Sequence, residues 1–292
     1  MKSKVLSAAL VALFSYGMQV QAEQRPMRIL VVNDDGCQSF GSISLQQKLA
    51  AKGYDVWMVA PATNQSGIGT AITFKLGKVF DVKKVADKRY CFSGTPSDAL
   101  DFGLRGVLKN TPPDLVISGV NDGPNTGMAQ FNSGTVGAAA RAVRYGIPAI
   151  AASIGYLFTQ EEMKNKWPST HKYWPDSVDH VVNVVDKLNS KWRSNQPVLP
   201  TGSGLSINYP PLPAARIKGI HYIENEQFPT PQIDYQLLPD GNAKQILNPN
   251  SMVISQKNTD SGWLEKGYIT YTLFDASWNA PQLQQAYEAL LK

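Results

Sequence analysis

Between Met27 and Ser153, short apolar runs alternate with segments of helical period, and this alternation constrains the fold more than any other feature. The expected strands are Met27–Asn33, Asp55–Ala60, Tyr90–Ser93, Asp114–Val120 and Ala149–Ser153. The expected helices are Ile43–Ala51, Ser97–Leu108 and Thr135–Tyr145. In the last, Val136, Ala139, Ala140, Val143 and Ile147 keep the helical period. Such a chain builds a mostly parallel sheet covered on both faces. We therefore expect an α/β, three-layer αβα, Rossmann-like domain, with the strand-like stretch from Ala71 to Lys88 at the sheet edge.

The second half is less regular. Asp176–Leu188 reads as an amphipathic helix, Leu205–Tyr209 as a strand stopped by Pro210-Pro211, and Gly267–Leu273 as a further strand. Pro281–Leu291 reads as a closing helix. From His221 to Val253 the chain is rich in Gln, Pro and Asn and has hairpin-like fragments, which suits a C-terminal arm better than a core. This arm also carries Tyr222, Ile223, Phe228, Ile233, Tyr235, Leu237 and Leu238, too much apolar surface for a solvated loop.

A basic start at Lys2 and Lys4, an apolar stretch from Val5 to Phe14 and the small-residue site Val20-Gln21-Ala22 read as a cleavable leader over residues 1–22. Residues 23–292 then form one domain, with the core over roughly 27–210 and the arm over roughly 221–253. The product is expected to be exported, to the periplasm or beyond. No other segment is apolar for long enough to span a bilayer, so no membrane partner is expected. The formal charge is +5, with the basic residues scattered rather than clustered, so no nucleic-acid polymer is expected. A mildly positive protein still suits a small anionic substrate.

Cys37 and Cys91 are the only cysteines. We expect two buried free thiols, with a bridge between them as the open alternative in an exported chain. No Cys-x-x-Cys and no Cys/His cluster points to zinc. Gly-x-Ser-x-Gly and a strand-linked Gly-x-Gly-x-x-Gly are also absent, which weakens a serine hydrolase or a dinucleotide enzyme.

The chemistry gathers where strands end. Arg28-Ile29-Leu30-Val31-Val32 runs directly into Asn33-Asp34-Asp35-Gly36. One Asp after a strand is an ordinary turn former. Two adjacent carboxylates repel, and a divalent cation is the usual remedy. Ser66 lies in the polar loop Pro61–Thr70, and Asn121 opens a turn running to Asn125. Asn132-Ser133-Gly134-Thr135 opens a helix of small residues, which reads either as ordinary capping or as an anion site. In open α/β sheets these turns converge at the carboxyl edge of the strands. Thr95-Pro96-Ser97-Asp98 reads as a capping-box-like helix start with a mainly structural role.

Together the stretches RILVVNDDG, VAPATNQSG, SGTPSDAL, PDLVISGVNDGPNTG and NSGTVGAAA resemble the SurE family of survival proteins. The resemblance is close over Met27 to Ser153 and looser in LSINYPPLP and NTDSGWLEKGYITYTLFD. It implies a metal-dependent phosphomonoesterase of nucleoside 5′- or 3′-monophosphates. By position, the family's metal ligands fall on Asp34, Asp35, Ser66 and Asn121, and its phosphate turn on Ser133, Gly134 and Thr135. Asp34, Asp35 and Asn121 are then the catalytic set, with Asn33 and Asn125 among the substrate contacts. Cys37-Gln38-Ser39-Phe40-Gly41 and Arg141 depart from the family's usual residues.

Two carboxylates, a hydroxyl and an amide carbonyl are hard oxygen donors, which suit one Mg²⁺ or Mn²⁺ ion rather than zinc. We expect attack by metal-activated water, an intermediate on Asp34 being the alternative. Other readings of the chain are a broad-specificity exported acid phosphatase or polyphosphatase, and a non-catalytic periplasmic protein that binds nucleotides or anions. The resemblance and the apolar arm also imply a homodimer or a tetramer, the alternative being an arm folded back on its own domain.

Overall fold

The computed structural model describes residues 25–194, 196–226, 233–247, 258–277 and 284–291. The leader expected over residues 1–22 lies outside the described residues, as do parts of the arm. Strand β1 (Arg28–Val32) is buried along Ile29–Val32, because helices cover both of its faces, and its sequence is accordingly an unbroken apolar run. Along the chain follow α1 (Phe40–Ala51), β2 (Asp55–Pro61), β3 (Val82–Ala86), β4 (Arg89–Phe92) and α2 (Pro96–Phe102). Then come β5 (Leu115–Asp122), α3 (Ala129–Asn132), α4 (Gly134–Arg144), β6 (Ala149–Ile154), α5 (Gln160–Lys164), α6 (Pro168–Lys191) and β7 (Gly204–Tyr209). The last elements are β8 (Ile220–Tyr222), β9 (Ile233–Leu237), β10 (Ala243–Leu247), α7 (Asp260–Glu265), β11 (Ile269–Phe274) and α8 (Gln284–Leu291).

Among the described residues, nine strands form one sheet in the order β3-β4-β2-β1-β5-β6-β7-β11-β8, while β9 and β10 form a separate antiparallel pair. The run from β4 to β7 is parallel, and β3 and β11 are antiparallel to their inner neighbours. Alternate residues of β1 feed two cores. Ile29 and Val31 pack with Leu45 and Leu49 of α1 and with Val178, Val181, Val182 and Val185 of α6. Leu30 and Val32 pack with Ala99 and Leu100 of α2 and with Ala138, Ala139, Ala142 and Val143 of α4. This is the three-layer αβα arrangement expected from the alternation, with the acidic turn at the carboxyl end of a central strand.

Two expectations need correction. Helix α6 begins at Pro168 rather than Asp176, with Pro175 inside it. An interior proline usually ends a helix because it lacks an N–H donor. Here the early turns are fastened to the sheet instead, with Thr170 Oγ1 donating to Gly155 O at 2.8 Å and Trp174 Nε1 to Val120 O at 3.1 Å. The cysteines are not free either. Cys37 and Cys91 form a disulfide with their Cα atoms 5.2 Å apart. The Cys37 N–H donates to Pro61 O at 2.7 Å, which lays the turn after β1 across the end of β2, and Cys91 of β4 pairs with Ala60 on that same strand.

Candidate active site at the carboxyl edge of the sheet

Asp34 is 3% exposed and Asp35 is half-buried at the end of β1. Helix α4 descends directly onto Asp34. Thr135 Oγ1 donates to Asp34 Oδ1 at 2.5 Å and lies 3.1 Å from Asn121 Oδ1. Gly134 permits this approach, because a Cβ there would stand 2.7 Å from the Asp34 Cβ and 2.9 Å from Pro96 Cγ. Ser133 caps the helix by accepting the Val136 N–H at 3.0 Å. On the other side of the pair, Asp35 Oδ2 accepts the Asp122 N–H at 3.1 Å.

Asn121 is oriented by its own turn. Its Nδ2 donates to Gly123 O at 2.8 Å, which leaves the carbonyl oxygen facing the Thr135 hydroxyl that also meets Asp34. Both carboxylates are out of electrostatic balance. Burial raises the Asp34 pKa above the usual carboxylate value, while the Thr135 hydroxyl and the N–H groups of Gly134 and Thr135 pull it back. Asp35 is pushed up to about 7 by burial and then by the charge of Asp34, with the Asp122 charge adding to the effect and its N–H opposing it. Among the described residues no Lys, Arg or His makes a salt bridge to either group. Two adjacent carboxylates without a counter-charge among the described residues, with an amide oxygen on the hydroxyl that meets one of them, are a donor set that fits a hard divalent cation.

The other expected residues fall into two groups. Ser66 is exposed in the loop after β2, and that loop is held at both ends of its polar stretch. The Gln65 N–H donates to Asp34 O at 2.7 Å, and the Gly69 N–H to Asn132 O at 2.9 Å. Asn33 and Asn125, expected as substrate contacts, both make hydrogen bonds within the fold. Asn33 is 0% exposed, with Nδ2 donating to Gly36 O and Ser42 Oγ and Oδ1 accepting the Gly36 N–H, so it shapes the acidic turn from beneath. Asn125 donates through its N–H to Asn208 Oδ1 and through Nδ2 to Ser153 Oγ, tying its turn to β6 and β7.

The capping box at Thr95–Asp98 is present, and Asp98 also accepts the Thr73 N–H and hydroxyl. Arg141 forms a two-point pair with Asp101 at 2.9 and 2.6 Å, away from the acidic turn. Sequence reasoning assigned no role to Asp122, His171 or Tyr156, which meet beside Asp35. His171 Nε2 lies 3.2 Å from Asp122 Oδ2, and the Tyr156 hydroxyl donates to Asp122 O at 2.9 Å. Only the Asp within a turn of Asn, Gly and Pro residues was a signal for this cluster. Nothing local announces His171.

The family model described as Survival protein SurE matches residues 29–228. A protein named 5'-nucleotidase SurE from Ruegeria pomeroyi is 31% identical over 274 residues, covering 91% of this chain and 100% of the relative. One of the same name from Jannaschia sp. is 32% identical over 272 residues, covering 90% of this chain and 100% of the relative. Among solved structures, the SurE protein from Aquifex aeolicus superposes with a TM-score of 0.74 at 27% identity, over 91% of this chain and 100% of that one. With the matching model spanning most of the chain and full-length relatives above 30% identity, this chain belongs to the SurE family.

Proposed function

We propose that this protein is a metal-dependent phosphomonoesterase that hydrolyses nucleoside 5′- or 3′-monophosphates to nucleoside and phosphate. The observation that carries the reading is the adjacent Asp34-Asp35 pair, with Asp34 buried under the N-terminus of α4 and the Asn121 carbonyl on the same Thr135 hydroxyl. The name 5'-nucleotidase SurE carried by several relatives supports it.

Asp34, Asp35, Asn121 and Ser66 would hold one Mg²⁺ or Mn²⁺ ion. Such an ion polarises a phosphoryl oxygen and lowers the pKa of water bound to it. The chain supplies the rest. The start of α4 at Ser133–Thr135 would present the positive end of the helix dipole to the phosphate. The Ser133 cap keeps that N-terminus in place, and the Thr135 hydroxyl fixes the rotamer of Asp34. The Asp122 N–H does the same for Asp35.

We also infer that the protein works outside the cytoplasm. The leader-like residues 1–22 and a disulfide of the kind kept in oxidising compartments support this. The test of function is phosphate release from a panel of nucleoside monophosphates, with Mn²⁺ and with EDTA. Release only in the presence of metal is expected, and full activity in EDTA would remove the metal from the mechanism.

A further inference from the structure

A rim of aromatic rings adjoins the acidic pair on the Asp35 side, by way of Asp122. Asp34 touches Thr135 at the helix N-terminus, while Asp35 touches Asp122, whose carboxylate meets His171 Nε2. The His171 ring packs over Trp174, with centroids 6.1 Å apart and planes inclined by 30°. Phe40 meets the same Trp174 edge-on, with centroids 5.6 Å apart and an angle of 61°. Trp174 is buried and pinned through Nε1 to Val120 O, one residue before Asn121. Gly41 seats the start of α1 against it, since a Cβ there would stand 2.6 Å from Trp174 Nε1.

A buried indole, fixed to the strand that carries Asn121, thus supports two rings that face solvent. Phe40 is 49% exposed and the His171 side chain 52% exposed. A phenyl ring at a helix start gains little by standing half in water when no core lies above it. Its position gives another account. The rim joins the acidic pair through Asp122, and in a nucleoside monophosphate the base lies one sugar away from the reacting phosphorus, so a phosphate held at the pair under α4 can extend its base toward these rings. Aromatic faces take any base by stacking, and packing on Trp174 already restricts the Phe40 ring.

We propose that Phe40, which shares Trp174 with His171, is the face on which the base of a nucleoside monophosphate stacks, which makes Phe40 a specificity-determining residue of this site. The inference rests on the nucleotidase reading above and adds the base subsite to it. It is tested with the full mature protein and Mn²⁺ by comparing adenosine 5′-monophosphate with ribose 5-phosphate, which keeps sugar and phosphate but lacks the base.

In the Phe40→Ala variant, kcat/KM for the nucleotide should fall about tenfold, carried by KM, because stacking is lost equally from ground and transition states. The fall should be confined to the substrate that carries a base, and Phe40→Tyr should retain the wild-type ratio between the two substrates. Equal losses on both substrates, or no loss on either, would overturn the base subsite. A wild-type protein that does not prefer the nucleotide to ribose 5-phosphate would also overturn it while leaving the phosphatase reading intact. A wild type that releases phosphate from neither would overturn both.

Discussion

Asp34 and Asp35 each do something the other cannot, because one is bound to α4 and the other to the Asp122 turn. Replacing either by Asn keeps the volume and removes one charge. Each variant should lose about a hundredfold or more in kcat/KM, equivalent to about 2.7 kcal/mol of transition-state stabilisation. Without metal, the same change relieves charge repulsion in a buried place, so the melting temperature of the metal-free protein should hold or rise. Turnover measured at limiting Mn²⁺ decides the first point, and an unchanged rate would strike that residue from the ligand set. Gly134 is a steric counterpart. A methyl group there must displace Asp34 or Pro96, so Gly134→Ala should destabilise the fold by about 1–3 kcal/mol and cut turnover severely. If a denaturant melt and a rate assay show the variant equal to wild type, α4 does not sit as closely on the acidic turn as the structure has it.

At the scale of elements, helix α6 carries a group that senses acid. His180 is packed against β11, its Nε2 2.8 Å from the Tyr271 hydroxyl. Burial, with a smaller contribution from the Lys187 charge, lowers its pKa from 6.5 to about 4. Between those two values the unfolded chain binds a proton that the folded chain refuses. Stability is therefore lost as pH falls through that window and is unaffected by this group above 6.5, with a slope of at most about 1.4 kcal/mol per pH unit. His180→Gln should flatten the acid limb of the melting curve between pH 6.5 and pH 4, and identical wild-type and variant profiles would sink the assignment.

The elements were also what the sequence declared most clearly. β1, β2, β5 and β6 are runs with apolar residues on both faces, and α4 keeps a strict helical period, so the parallel sheet and its acidic edge were legible. Asp34, Asp35, Asn121 and Ser133–Thr135 stood out because each ends a strand or opens a helix. The turn-shaping bonds of Asn33 were hidden because its partners, Gly36 and Ser42, meet it only when the turn closes. The early turns of α6 were hidden by Pro175, whose local penalty is outweighed by anchors far away in sequence. The disulfide depended on β4 inserting beside β2, and His171 on α6 folding back to the Asp122 turn, contacts that no spacing in the sequence encodes.

At the scale of the whole molecule, one side is left open among the described residues. Beyond β11 the sheet ends in the three-residue strand β8, and the β9–β10 hairpin forms a sheet of its own. A two-stranded hairpin is marginal alone in water, and an uncovered sheet edge invites pairing. Ile233, Tyr235 and Leu237 share one hairpin face with Ala243, and all of β9 is exposed, Leu237 by 81%. At the sheet edge, Ile220 and Tyr222 of β8 and Leu273 of β11 are exposed as well. Apolar surface on this scale, on an element with so little support of its own, calls for a cover. A second copy of the chain is the cover always present at the protein's own concentration. We therefore expect a homodimer, or a dimer of dimers, with the hairpin at the interface and the acidic pair outside it. Light scattering at micromolar concentration should give twice the mass of one chain or more, and the double substitution Tyr235→Lys with Leu237→Lys should lower it toward a single chain. A wild-type protein that stays monomeric across that range would leave the hairpin to pack on its own domain, and the lysine pair would then change stability without changing mass.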